Sequence, residues 1–207
     1  MIDLNLEDKI GRSSDLGPEV RRSRLEPIQV AMEQSLNRLW ARLDDLDEAP
    51  DLTERGIVEL VQSYCRTAAL EGFRAGGSRG QTWTPDASML SACAKSFRGL
   101  IQAELRQRWK TSGSAALQQV HRILPLAAYT HLVRCYEHGS LQGMRDRGVA
   151  ARSWVTSPDP CSDCASIASI GPVPIDLPFR EALSTPPAHP GCRCTVMPSE
   201  DHRDRAR

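Results

Sequence analysis

Hydrophobic residues that recur at steps of three and four predict helices over most of the first 148 residues. The first helix is predicted to start near Glu26-Pro27, since proline suits a first helical turn, and to end before Pro50. Its apolar residues form a narrow stripe with coiled-coil-like spacing. The stripe consists of Met32, Leu36, Leu39, Leu43 and Leu46. Such a stripe packs against one partner helix, either within the same bundle or in a second copy of the chain.

Two further helices carry their own start and stop signals. The second is expected to begin at Thr53 as its cap and to end at Gly76-Gly77. For the third, Thr84 is the expected N-cap and Pro85 the first helical residue. Its exit loop is predicted at residues 111–114, where small and polar residues cluster.

A fourth helix is predicted from Ala115 to about His138, with Pro125 as a kink or break. Four helices of similar length favour a bundle. The fold class predicted for the whole chain is therefore mainly α. Residues 1–24 mix charge with Ser and Gly and are expected to form a flexible arm, which leaves residues 25–148 as the helical body.

Beyond Gly148 the chain becomes dense in proline and turn residues, and its apolar runs shorten. Residues 153–156 and 194–197 read as short strands. Residues 149–200 are poor in apolar side chains and can hardly build a core alone, so a metal staple is expected. We therefore predict a small mixed α+β zinc-knuckle domain there, followed by a polar tail at 201–207.

Composition and charge narrow the possible functions. The chain carries 26 Lys and Arg against 26 Asp and Glu, so it has no global basic field to hold nucleic acid. Its apolar runs are far short of a membrane span, and no membrane partner is expected. The N-terminus lacks the basic start and apolar block of a secretory signal, which favours a reducing compartment.

The seven cysteines fall into two classes. Three stand alone in predicted helices and are interpreted as small buried apolar residues: Cys65, Cys93 and Cys135. The other four form two tight clusters at 161–164 and 192–194. An odd number of cysteines in a reducing compartment favours thiols or metal ligands over a disulfide framework.

The two cysteine clusters and a neighbouring histidine predict one structural zinc site. Zinc takes four ligands in a tetrahedron, and cysteines separated by two residues can reach the same ion. If 192–194 forms a strand, its two thiols share one face because side chains alternate. Five candidates compete for four places: Cys161, Cys164, His189, Cys192 and Cys194. A disulfide or unliganded thiols are the alternatives.

The same residues carry a resemblance to a known family. Trp154 and Asp159 precede the Cys161-x-x-Cys164 pair, and residues 186–194 read Pro-Pro-Ala-His-Pro-Gly-Cys-Arg-Cys. This pattern resembles the C-terminal signature of the phage head morphogenesis family, the Mu F-like minor head proteins. Arg193, between the last two cysteines, could contact DNA or a carboxylate, or could face solvent.

The resemblance implies a minor virion component that is made in the host cytoplasm and carried inside the phage head. It implies association with capsid or portal assembly, or with DNA packaging and ejection, rather than catalysis. The expected partners are the portal or major capsid protein, with phage DNA as a further candidate. The helical body would be the assembly surface, and self-association could use the stripe from Met32 to Leu46.

Two other functions are open alternatives. Cys135 and Glu137 upstream of the Cys161-x-x-Cys164 pair are similar to the pattern of zinc nucleoside deaminases, in which a glutamate shuttles protons and does not ligate zinc. That interpretation leaves His189, Cys192 and Cys194 without a role. A host zinc module that binds nucleic acid is disfavoured by the neutral charge. Hydrolase, metalloprotease and phosphate-loop motifs are missing from the sequence, and no enzymatic activity is expected.

Overall fold

The computed structural model describes residues 17–43, 50–77, 82–112 and 114–199. The elements are, in chain order, α1 (Pro18–Leu43), α2 (Pro50–Ala75), α3 (Ala87–Ser112), α4 (Ser114–Asp146), β1 (Ala151–Val155), α5 (Ser162–Ala168), β2 (Val173–Pro174) and β3 (Thr195–Ser199). The predicted fold class, mainly α with a small mixed C-terminal part, is confirmed. Within the described ranges, no helix combines the length and the apolar character needed to cross a membrane.

Helix α1 starts earlier than predicted. It begins at Pro18, and Pro27 lies inside it. The predicted flexible arm is therefore wrong from residue 18 onward, and its first 16 residues lie outside the described part of the chain. The physical reason is that Arg21 and Leu25 both face the core, at 1 % and 0 % exposure. Because a charged residue occupies one of the buried positions, the apolar period of the helix is not visible in the sequence.

The described part of the α1 stripe packs within this chain. Met32 and Leu36 are buried in the core, and the Tyr64 hydroxyl on α2 donates a hydrogen bond to the Ala31 carbonyl at 3.1 Å. Leu46 and the side chains of Leu39 and Leu43 lie outside the described residues. Pairing of the stripe with a second copy stays a prediction.

The N-termini of α2 and α3 differ from the predicted caps. Helix α2 begins at Pro50 rather than at Thr53. Before α3, the Asp86 carboxylate accepts a hydrogen bond from the Ser88 backbone N–H at 2.8 Å. Asp86, and not Thr84, therefore caps α3, because its side chain satisfies a helix N–H that would otherwise be unpaired.

Helix α4 is longer than predicted. It runs through Pro125 and past His138 to Asp146. The predicted end of α2 at Gly76-Gly77 is confirmed, since the helix stops at Ala75. The additional turns of α4 pack directly on the end of α2, and this tertiary contact is not visible in the helical period.

Glycines bring α2 and α4 into backbone contact. They lie four residues apart on both helices: Gly72 and Gly76 on α2, and Gly139 and Gly143 on α4. A Cβ on Gly72 would lie 1.9 Å from the Tyr136 carbonyl oxygen, and one on Gly139 would lie 2.0 Å from the Ala69 carbonyl oxygen. Any larger side chain at these positions would force the helices apart.

The three strands form one antiparallel sheet in the order β2-β1-β3. The strands predicted at 153–156 and 194–197 are confirmed with shifted ends, whereas α5 and β2 were not predicted. Trp154 pairs with Val196, and both are buried. These residues belong to the same hydrophobic cluster as the helix core, so the sheet packs on the bundle. Whether 25–148 and 149–200 fold as separate domains stays a prediction, and the tail at 201–207 lies outside the described residues.

Candidate metal centre

The first half of the centre is the N-terminus of α5. Cys161 is the N-cap residue, with an extended backbone at φ −67° and ψ 163°, and its Sγ accepts a hydrogen bond from the Cys164 N–H at 3.4 Å. This N–H is the main reason that the pKa of Cys161 is lowered. The capping turn places both thiols at the same end of the helix.

The second half is a tight turn from His189 to Cys192. The Cys192 N–H donates to the His189 carbonyl oxygen at 3.1 Å, and Gly191 has a φ of +75°. Proline at the second position and glycine with positive φ at the third are the residues that a type II turn requires. The His-Pro-Gly-Cys sequence therefore fixes the backbone that carries the imidazole and the thiol, each of which contacts Cys164.

The tautomer of His189 is fixed by its own turn. Its Nδ1 lies 2.9 Å from the Pro190 carbonyl oxygen, which can only accept, so Nδ1 carries the proton. The lone pair of Nε2 is left for the thiols, at 3.2 Å from Cys161 Sγ and 3.3 Å from Cys164 Sγ. Metal-bound histidines commonly use this second hydrogen bond to hold the ring in place.

All five predicted ligands converge on Cys164. The donor atoms form two groups of three, within each of which all atoms lie within 4.8 Å of one another, and Cys164 belongs to both. The first contains Cys161, Cys164 and His189, and the second contains Cys164, Cys192 and Cys194. The Cys164 and Cys192 sulfurs are 3.7 Å apart. Ligand atoms around a tetrahedral zinc lie about 3.5–3.8 Å apart, so the contacts of Cys164 with His189 and with Cys192 are each close to the spacing that zinc requires, although the two groups do not form one tetrahedron in this structure.

The segment 192–194 is not a strand, since β3 begins at Thr195, yet its side chains alternate as predicted. Cys192 and Cys194 are both buried, whereas Arg193 between them is exposed. All seven cysteines lie within the described ranges and are free thiols, so the disulfide alternative is wrong for this structure.

The pKa values of the thiols in the centre are shifted in different directions. A hydrogen bond from Cys194 lowers the pKa of Cys192 to about 5, and the same contact raises the pKa of Cys194. Burial raises the pKa of Cys164 to about 12. Metal ions bind thiolates, so occupation of the site would displace the protons that these sulfurs now share.

Arg21 and Glu137 connect this segment to the helices. Arg21 Nη1 donates to Glu137 Oε1 at 3.1 Å and also donates to the Cys194 carbonyl oxygen. Glu137 Oε2 accepts from the Val196 N–H at 3.2 Å, and its carboxylate also bonds to the Thr195 side chain. Burial raises the pKa of Glu137, and the charge of Arg21 opposes that rise. Sequence analysis missed Arg21 because it lies in the predicted arm.

A second buried arginine holds the loop that leads to His189. Arg152 on β1 donates from Nη1 to the Ser184 carbonyl and from Nη2 to the Leu177 carbonyl, both at 2.6 Å. Its guanidinium lies 4.9 Å from the centroid of the Phe179 ring. This contact was not predicted, because an arginine in a strand normally faces solvent.

The structure does not assemble the ligand set of the deaminase alternative. Cys135 contacts Cys93, with 3.4 Å between the sulfurs, and it is not part of the donor groups that contain Cys161 and Cys164. Glu137 is held by Arg21 and β3 rather than being directed at a metal position. The resemblance to deaminases is thus one of sequence spacing alone.

Comparison with known proteins identifies a viral family. The model of the VG15 protein family matches residues 18–207, all of the chain but its first 17 residues. The match begins at Pro18, where α1 begins. No curated protein and no solved structure gave a match.

Proposed function

Because the chain belongs to the VG15 protein family, a family of viral proteins, we propose that it is a minor head protein of a bacteriophage. It would act without catalysis in capsid or portal assembly, or in DNA packaging and ejection. The observation that carries the proposal is the convergence on Cys164 of all five cysteine and histidine residues of the Mu F-like signature. Residues that lie far apart in sequence and meet in space can act as one unit, and their meeting supports the proposal.

The proposed cofactor is one structural zinc ion. The donors are sulfur and imidazole nitrogen, which suit zinc better than the oxygen-preferring magnesium or calcium. Five candidates for four positions leave no place for a reactive water, as in the closed sites that zinc uses for structure. A single ion would take Cys164, which both donor groups share, and three of the other four candidates, Cys161, His189, Cys192 and Cys194.

The proposed partners are the portal or the major capsid protein, with phage DNA as a further candidate. Zinc would fix the C-terminal segment against β1 and the bundle, so that the assembled chain presents one rigid surface. Arg193 is exposed at the knuckle and could reach a DNA phosphate or a carboxylate of a capsid partner.

Mass spectrometry of purified particles tests the virion assignment. The protein is expected in particles purified through a density gradient, at a few copies relative to the major capsid protein. A phage with Cys161→Ser and Cys164→Ser should yield fewer filled heads, whereas Ser162→Ala, an exposed position in the same turn, should not change the yield. Recovery of the protein only from infected cytosol would refute the assignment.

Elemental analysis tests the cofactor separately. Protein purified under reducing conditions should retain about one equivalent of zinc that the double cysteine variant loses. Zinc retained by both proteins alike would place the metal elsewhere.

A further inference from the structure

Two buried cysteines on neighbouring helices touch one another inside the bundle. Cys93 of α3 and Cys135 of α4 have their sulfurs 3.4 Å apart, and one thiol donates a hydrogen bond to the other. They are 4 % and 0 % exposed, and Cys65 of α2 is buried as well. The expectation that all three residues are buried is confirmed, but Cys93 and Cys135 are in contact rather than alone.

A pair of touching thiols differs in one chemical respect from the apolar residues around it. The two sulfurs can lose two electrons and two protons and form a covalent bond between the helices. A disulfide bond is about 2.05 Å long, so the sulfurs of Cys93 and Cys135 have to approach by only a little over 1 Å. Neither residue belongs to the two donor groups of the metal centre, so both thiols are available for this reaction.

We propose that Cys93 and Cys135 form a disulfide that locks α3 to α4 once the protein leaves a reducing compartment and meets a peroxide. The setting rests on the proposed function, because a virion passes from the host cytoplasm into an oxidising medium. Disulfides are rare in cytosolic proteins and persist at virion surfaces and in secreted proteins. The two residues are 42 positions apart in sequence, so the bond would close a long loop of the chain.

The reaction balances with one molecule of hydrogen peroxide. The Cys93 thiolate attacks one peroxide oxygen, the O–O bond breaks, and the departing hydroxide leaves as water with the proton that Cys93 released. Cys93 is then a sulfenic acid. The Cys135 sulfur attacks the Cys93 sulfur, the S–O bond breaks, and a second water leaves with the proton of Cys135. The peroxide gains the two electrons that the two thiols lose.

Cys93 is the better placed of the two thiols to react first. Its hydrogen bond with Cys135 lowers the pKa of Cys93 to about 5, and the thiolate is the form that attacks. Because both residues are buried, the peroxide reaches them only when α3 opens locally, so the reaction is expected to be slow. Contact with Cys135 then favours the disulfide over further oxidation of Cys93.

Peptide mapping of the full-length chain tests the disulfide. The reduced, zinc-loaded protein is incubated with a small excess of hydrogen peroxide, alkylated and digested with trypsin without reductant. Trypsin cuts between the three bundle cysteines, so mass spectrometry distinguishes their pairings. The peptides of Cys93 and Cys135 should be joined in the wild type and in Cys65→Ala, which removes the third bundle thiol. Absence of that joined peptide, whatever else is oxidised, would overturn the proposal.

Thermal melts test whether the bond locks the bundle. Oxidised wild type should melt about 5–10 °C above the reduced protein, because the bond restricts the unfolded chain, and dithiothreitol should remove the gain. Cys93→Ala keeps the knuckle and should show no gain after the same treatment, so it corrects for oxidation of the knuckle. An equal change in wild type and Cys93→Ala would refute the lock even if the joined peptide forms.

Purified particles test the setting apart from the chemistry. When thiols are blocked at the moment of sampling, the joined Cys93 and Cys135 peptide is expected in released particles and should be missing from infected cells. Particles that contain the protein with both thiols reduced would overturn the lock and leave the proposed function standing. A joined peptide in the isolated protein, with no protein in the particles, would refute the proposed function instead.

Discussion

Arg21 of α1 and Glu137 of α4 form an ion pair across 3.1 Å, with side-chain exposures of 1 % and 0 %. Each of the two charged groups has a further hydrogen-bond partner in the backbone of the C-terminal segment. Arg21 also donates to the Cys194 carbonyl, and Glu137 also accepts from the Val196 N–H. Such a pair adds little net stability compared with apolar residues, but the loss of one partner leaves a buried charge uncompensated. The start of α1 and the start of β3 are therefore held by the same two side chains.

Removal of either partner should destabilise the whole protein. Arg21→Met and Glu137→Gln are each expected to lower the free energy of unfolding by about 3–5 kcal/mol, and the double variant by less than the sum. Urea denaturation followed by circular dichroism measures both. Arg55→Gln is the control, because its pair with Glu59 is exposed and should be worth little. Equal effects of the buried and exposed substitutions would contradict the network.

Metal removal should weaken the helices as well as the knuckle. Cys194, a candidate ligand, is bonded through its carbonyl to Arg21, and the buried residues of the sheet and the bundle form one cluster. A strong chelator is therefore expected to lower together the melting temperature of helical ellipticity and that of Trp154 fluorescence, which is measured in a variant that keeps Trp154 as its single tryptophan. The Cys161→Ser variant should have this lower melting temperature without chelator, and the chelator should not lower it further. Loss of the fluorescence transition alone would instead support a separate knuckle domain.

The glycine contact between α2 and α4 predicts that replacing glycine with alanine destabilises the protein at the contact and stabilises it at an exposed helical position. Gly72→Ala and Gly139→Ala each put a Cβ within 2.0 Å of a backbone carbonyl oxygen. Because this forces the helices apart, each should lower the free energy of unfolding by about 1–3 kcal/mol. Gly99→Ala, in α3, meets nothing within 4 Å and should stabilise the helix by about 0.5–1 kcal/mol. Thermal melts of the three variants check the order. A destabilised Gly99→Ala together with neutral Gly72→Ala would refute the packing.

Sequence patterns predicted what is local in this fold. Helices with apolar stripes, the two main strands and the approach of Cys161 to Cys164 follow from spacing alone. The turn at Gly191 also follows from local chemistry, since proline and glycine fix its backbone.

Contacts between distant elements could not be predicted. Arg21 was assigned to a flexible arm because a charge breaks the apolar period, and its partner is 116 positions away in sequence. The pairing of glycines on α2 with glycines on α4 depends on which helices are neighbours, and that information is not contained in either helix. The same holds for the contact between Cys93 and Cys135, which a single sequence shows only as two separate thiols.

Arg152 should control the order of the loop that precedes His189. It is 1 % exposed, and its two carbonyl acceptors, on Leu177 and Ser184, bracket that loop. In Arg152→Lys one ammonium replaces a planar fork that reaches both carbonyls, so one carbonyl should lose its partner. We expect amide hydrogen exchange in residues 177–184 to accelerate severalfold, with little change in α2 and α4. Arg145→Lys is the matched control, because Arg145 is more exposed and contacts Asp176 outside this loop. Unchanged exchange in Arg152→Lys, or equal acceleration in Arg145→Lys, would show that the loop is held by other contacts.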